Sequence, residues 1–271
     1  MASSAPGLLG ESLKGQVALV TGASSGIGAE IARHFASLGC RLALTGRDME
    51  ALRNVTDECM QRGLHKDQIL MIQAKFELEE DVTKISNETI NKFNQLDVLV
   101  NNAGMFKLDT IETFTLQNFD DIFAVNVRAP LHLTKNLAPY LIKTKGAVVN
   151  ISSICGRSSM PSKMSHSMSQ TAMDHMTRCL AEELAPHGVR VNAVNPGVIA
   201  TPIFKRTGMT DGQIAKFFER CNVLHPLRRN GYVDEVSRLV TFLASSDSSF
   251  TTGETVGVDG GRHLLIRPVN D

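Results

Sequence analysis

The run Thr21-Gly22-Ala23-Ser24-Ser25-Gly26-Ile27-Gly28 follows a short β-branched segment and leads into an amphipathic one. Gly22, Gly26 and Gly28 allow a tight strand-to-helix turn and let the backbone approach a pyrophosphate closely. The helix that follows would present its free N–H groups and positive dipole end to the anion. A glycine-rich turn without a ligand is the alternative reading. A second group of interest is His166 with Gln170, four residues apart and therefore on one helix face. Imidazole titrates near neutral pH and is a common general acid or base, whereas an amide can only hydrogen-bond. The other histidines, His132, His175, His187, His225 and His263 among them, show no metal-ligand spacing, so no metal site is expected.

These groups need a scaffold, and the chain supplies one in a regular alternation. Apolar, β-branched runs occur at Gln16–Val20, Arg41–Thr45, Ile69–Gln73, Val98–Asn101, Ala147–Ile151, Arg190–Val194 and Thr255–Val258. Turn signals and helical patterns follow the first six; in the first helix the apolar positions are Ile27, Ile31, Phe35 and Leu38. Strand–helix–strand repetition implies right-handed crossovers and a parallel sheet covered on both faces. The expected fold class is therefore α/β, one doubly wound domain over residues 14–262. Residues 1–13 read as a flexible extension and 263–271 as a tail. The segment 199–229 breaks the rhythm with Pro202, Gly208, Gly212 and Pro226, and reads as a helical substrate lid.

Taken together, the glycine turn, Asn101-Asn102-Ala103-Gly104 after the fourth strand, Asn126 in Val125-Asn126-Val127, Ile151-Ser152-Ser153 after the fifth and Asn195-Pro196-Gly197 after the sixth resemble the short-chain dehydrogenase/reductase family in their order. The resemblance spans about Lys14 to Arg262. It implies a Rossmann-like sheet of seven strands in the order 3-2-1-4-5-6-7, a nicotinamide cofactor, and a homodimer or homotetramer. It also implies a cofactor-binding set of Gly22, Ser24, Ser25, Gly26, Ile27, Gly28, Arg47, Asn102, Ala103, Gly104, Gln170, Pro196, Gly197, Ile199 and Thr201. Thr201 would contact the nicotinamide carboxamide. Ser153 would hydrogen-bond the substrate oxygen, and Asn126 would kink its helix and hold a water of the proton relay.

Cofactor choice follows from the end of the second strand. NAD-preferring sites place a carboxylate there for the ribose hydroxyl, but this chain has Gly46 followed by Arg47. A guanidinium fork suits the additional phosphate of NADP, so NADP(H) is expected over NAD(H). The alternative for Arg47 is a solvated residue at a helix start.

The chain departs from the family pattern at its chemistry. The family's acid is a tyrosine thirteen residues after the serine, with a lysine four further on; here those positions hold His166 and Gln170. The two tyrosines are Tyr140 and Tyr232, and no Y-x-x-x-K occurs. An imidazole is shorter than a phenol and would need a bridging water to reach the substrate, while Gln170 carries no charge to tune a neighbour. Lys163, three residues before His166, points along a different line from Gln170; the alternative is that its flexible stem reaches the pocket. Lys75 occupies the position at which the family carries an adenine-accepting aspartate, and an ammonium cannot accept. The expectation is an NADP(H)-binding oxidoreductase homologue with weak or altered carbonyl/alcohol activity. The alternative is a non-catalytic dinucleotide-binding protein acting as sensor, carrier or oligomer partner.

Composition narrows the partners. The 28 basic and 28 acidic residues cancel, which argues against nucleic acid or anionic lipid held by bulk charge. No apolar stretch approaches the roughly 20 residues that span a bilayer. The five cysteines, Cys40, Cys59, Cys155, Cys179 and Cys221, form no C-x-x-C pair and suit reduced thiols, giving a cytoplasmic expectation. Phe204, Phe217, Phe218, Met209 and Leu224 in the insertion suggest a small apolar substrate, although lid packing gives the same pattern. Met160, Met164, Met168, Met173 and Met176 are expected in the core or at a subunit contact, or else as a substrate wall.

Overall fold

The computed structural model describes residues 9–264, except the side chains of residues 206 and 207. Its strands are β1 Val17–Val20, β2 Arg41–Gly46, β3 Ile69–Gln73, β4 Val98–Asn101, β5 Ala147–Ile151, β6 Arg190–Pro196 and β7 Thr255–Val258. They form one sheet in the order β3-β2-β1-β4-β5-β6-β7, with every neighbouring pair parallel. The helices are α1 Gly26–Ser37, α2 Met49–Gln61, α3 Glu79–Phe93, α4 Leu116–Phe123, α5 Ala129–Thr144, α6 Met164–Leu184, α7 Asp211–Leu224 and α8 Val233–Ala244.

Side chains of a strand alternate between faces, and here both faces are buried. Ala18 and Val20 of β1 join Ile31 and Phe35 of α1, Leu52 of α2 and Val240 of α8 in one core. Val17 and Leu19 point the other way, to Ile85 of α3, Leu137 of α5 and Leu184 of α6. The strand order reverses between β1 and β4, which opens a crevice at their carboxyl ends, where ligands bind in open α/β sheets.

The N-terminal segment is closer to the body than expected. Residues 1–8 lie outside the described residues, but Leu13 is fully buried, Gly10 N–H donates to Asp247 Oδ2 at 2.8 Å and Ser246 N–H donates to Ser12 Oγ at 3.0 Å. Residues 10–13 are thus docked on the end of α8 instead of extending from it. Of the tail, 265–271 lies outside the described residues, and His263 pairs with Asp259 at 2.7 Å. Of the methionines around α6, Met173 is in the core and Met168 is exposed.

Candidate active site

The glycine turn is built as its residue types require. Gly22 has φ +64°, and a Cβ on it would stand 2.9 Å from Ala103 Cα. A side chain on Gly28 would overlap both the Asn102 amide and the Gly22 carbonyl. Asn102 ties the two loops: its Nδ2 donates to the carbonyls of Thr21 at 2.8 Å and Gly22 at 3.2 Å, while its N–H donates to Thr21 Oγ1 at 2.8 Å. Close approach of two backbones at the α1 N-terminus leaves a cradle that fits a pyrophosphate.

One cavity runs from this turn under the 199–229 segment. Gly22, Ser25, Gly26, Ile27, Asn102, Ala103, Gly104, Ser153, His166, Gln170, Pro196, Gly197, Ile199 and Thr201 line it. An adjoining hollow is lined by Ser24, Gly46, Arg47, Asp48, Phe76 and Glu77, together with Gly22 and Ala103. Two of the expected residues line neither: Gly28, which is packed beneath the turn, and Asn126. Asn126 lies in a π-helical turn, Ala124–Arg128, between α4 and α5. Its Oδ1 accepts Met105 N–H at 2.7 Å; its Nδ2 donates to Met105 O at 2.9 Å and Ser169 Oγ at 3.0 Å. Both amide protons are therefore spent holding the β4–α4 loop against α6.

Ser153 caps a short 3-10 turn, accepting Cys155 N–H at 3.1 Å, so its own hydroxyl proton is free to point into the cavity. Gln170 sits one helical turn beyond His166 and is buried against the cavity wall. His166 meets Phe106 edge-on, with ring centroids 4.9 Å apart, and its Nδ1 is buried with no hydrogen-bond partner among the described residues. Burial, reinforced by the Lys163 charge, pushes its pKa down to about 4, against weaker opposing pulls from the Met105 carbonyl and Asp109. The imidazole is neutral at pH 7. Below it, Asn195 donates to both Asp174 oxygens at 2.9 and 3.0 Å, pinning the end of β6 to α6; burial raises the Asp174 pKa.

Lys163 also lines the cavity. Helical spacing had set it on a different line from the site, but it precedes the first helical residue, with φ −140° and ψ 37°, so helix periodicity does not govern its direction. Ser162 before it has φ +57°, and Asp109 N–H donates to Ser162 O at 3.1 Å, which turns the chain here. The 199–229 segment contributes an aromatic cluster, Phe204 with Phe217 at 5.0 Å, Phe218 at 5.4 Å and Phe106 of the β4–α4 loop at 6.5 Å between centroids. Phe106 had no sequence signal, because only packing brings the β4–α4 loop, the α6 entrance and the 199–229 segment together. None of the α6 methionines lines the cavity; Met105 does.

At the far hollow, Lys75 is exposed and does not line it, its N–H being held by Asp81 Oδ2 at 2.7 Å; Phe76 and Glu77 are at the rim. The Arg47 guanidinium is half-exposed and 3.8 Å from Glu77 Oε1. No group of three or more His, Cys, Asp or Glu that could hold a metal occurs among the described residues. Among the same residues, no helix is long and apolar enough to cross a membrane.

A family model described as enoyl-(acyl carrier protein) reductase matches residues 22–263. The 3-oxoacyl-(acyl-carrier-protein) reductase FabG of Thermotoga maritima is 34% identical over 251 residues, covering 92% of this chain and 98% of that protein. The L-fucose dehydrogenase of Oryctolagus cuniculus is 32% identical over 257 residues, covering 94% and 88%. A solved short-chain dehydrogenase/reductase of unknown function from Caenorhabditis elegans, with cofactor, superposes with a TM-score of 0.90 at 29% identity, over 94% of this chain and 97% of that one. With its sheet order, its glycine cradle and these relatives, the chain belongs to the oxidoreductases of the short-chain dehydrogenase/reductase family.

Proposed function

We propose that this protein binds NADP(H) in preference to NAD(H) and has weak or altered carbonyl/alcohol oxidoreductase activity, because His166 and Gln170 stand where the family places its tyrosine and lysine. The observation that carries the reading is the setting of His166: burial lowers its pKa to about 4, so the imidazolium that could serve as the acid is scarce at neutral pH. When bound, a nicotinamide cofactor supplies or accepts hydride. The chain's own part is to bind and orient. The Gly22–Gly28 turn and the α1 N-terminus hold the pyrophosphate, Thr201 and Ile199 border the nicotinamide end, and Gln170 hydrogen-bonds a ribose hydroxyl. Ser153 directs its hydroxyl at the substrate oxygen. Asn126 acts as a positioning residue, through Met105 and Ser169.

The NADP preference is supported at the rim of the far hollow. A Cβ on Gly46 would lie 3.1 Å from Ser24 Cβ and Oγ, so a carboxylate there would crowd the turn, while Arg47 is within reach of a phosphate. Glu77 competes for Arg47 across 3.8 Å of partly exposed space, a contact worth little. The non-catalytic reading is supported by the lack of a tyrosine among the described residues that line the cavity and by the lowered proton affinity of His166. An apolar compound as substrate is supported by the Phe204 cluster. A homodimer or homotetramer is supported by family habit and by exposed Leu131 on α5, and a cytoplasmic location by five free thiols.

The test is a fluorescence titration with NADPH and NADH, followed by a ketone and alcohol panel. Binding of NADPH tighter than NADH, with turnover far below that of the His166→Tyr/Gln170→Lys variant, is the expected result. No binding of either cofactor overturns the reading, and wild-type turnover equal to that of the double variant overturns the impaired chemistry.

A further inference from the structure

Among the described residues lining this cavity, Lys163 is the single Lys or Arg, and no Asp or Glu faces the space. Its Nζ lies 5.4 Å from the Phe106 ring centre and 5.7 Å from that of Phe217, and it enters no salt bridge or hydrogen bond among the described residues. The acid that acts electrostatically on this corner, Asp109, is buried and accepts both the N–H and the O–H of Ser165. Two phenyl faces compensate an ammonium only in part. Lys163 is half-buried, so water shares in its solvation, but the cavity walls offer it no counter-charge and an anionic ligand would supply one.

The placement is not that of a wandering surface lysine. Ser162 adopts a left-handed backbone, φ +57°, and an isolated β-bridge ties Asp109 to Lys163, so the residue is aimed by the loop. Its charge is felt at His166 on α6 and at Cys221 on α7, the lid helix that also carries Phe217. It thus stands on the lid side of the cavity, not beside the glycine turn where cofactor phosphates would lie.

We propose that Lys163 binds an anionic group of the carboxylate class on an otherwise apolar carbonyl or alcohol substrate. This rests on the reading of the cavity as the substrate side of a dinucleotide site. The lid phenylalanines cover the apolar body, Ser153 meets its oxygen, and the ammonium fixes the end that carries the charge.

The experiment is a ligand-observed NMR titration of the full chain, with and without saturating NADPH, using benzoylpropionate and levulinate against their methyl esters. Each acid is expected to bind about tenfold tighter than its ester, the effect of one hydrogen bond between charged groups. Lys163→Met erases that preference, Lys163→Arg keeps it, and NADPH affinity is the same in all three proteins. Equal affinity for acid and ester in wild type, no binding of either acid, or a preference that survives Lys163→Met overturns the proposal. A loss of NADPH affinity in Lys163→Met would assign the lysine to a cofactor phosphate, which also overturns it. If NADPH fails to bind but the acid preference of the free protein persists and depends on Lys163, the cofactor reading fails and this one stands.

Discussion

His166 links the chemistry of the cavity to the stability of the fold, and the link can be measured by lowering the pH. In the folded chain its pKa is about 4, against about 6.5 in an unfolded chain. Between those values the unfolded state binds the extra proton, so this group contributes stability above the unfolded value, which is lost as pH falls through the window. At pH 5 an unfolded imidazole is almost fully protonated and the folded one hardly at all. Going from pH 7 to pH 5 therefore removes roughly 2 kcal/mol through this one residue. His34 and His225 are also lowered by burial, and Asp174 is raised, so the absolute pH dependence mixes several groups. The difference between wild type and His166→Phe isolates the term, since phenylalanine keeps the ring contact with Phe106 and does not titrate. Urea unfolding at both pH values should show wild type losing about 2 kcal/mol more than the variant over that interval. Equal losses, or a His166 imidazole that titrates near 6.5 by NMR in the folded protein, would refute the buried neutral imidazole and with it the reason for calling the chemistry impaired.

Other outcomes follow from the same geometry. The His166→Tyr/Gln170→Lys variant is expected to raise turnover of a ketone panel by about 10²–10⁴, the usual contribution of a placed acid/base. Arg47→Met should weaken NADPH about tenfold or more in a fluorescence titration while leaving NADH nearly unchanged. Gly28→Ala drives a methyl into the Asn102 amide and the Gly22 carbonyl; it should lower the melting temperature and abolish binding of both cofactors, whereas Gly212→Ala, with open space around it, should do neither.

Much of this architecture is legible in the linear chain. The seven apolar runs correspond to the seven strands, with β1 starting one residue later than read and β2 and β6 reaching Gly46 and Pro196. Periodicity suffices for this because a buried parallel strand and an amphipathic crossover helix have different repeats. The glycine turn is also legible, since residue type answers there to a local backbone requirement at a strand's end, whereas Asn102 and Ser153 are singled out only by the family resemblance. Local pattern is less informative at the chain's margins, where Leu13 is buried and Gly10 is bonded to Asp247, more than two hundred residues away.

The sequence by itself determined the fold class, the glycine turn and the absence of any Y-x-x-x-K. Those features depend on residue type, spacing and order alone. Tertiary structure decided what remains in the pocket. An imidazole's proton affinity is set by solvent and neighbouring charge, and the lowered pKa of His166 comes from its burial, with the Lys163 charge beside it, which residue spacing does not show. Lys163 itself moved from a helix-wheel position to the cavity because the chain turns at Ser162, before the helix begins. Both outcomes depend on contacts between segments that are remote in sequence, which residue spacing within one helix cannot encode.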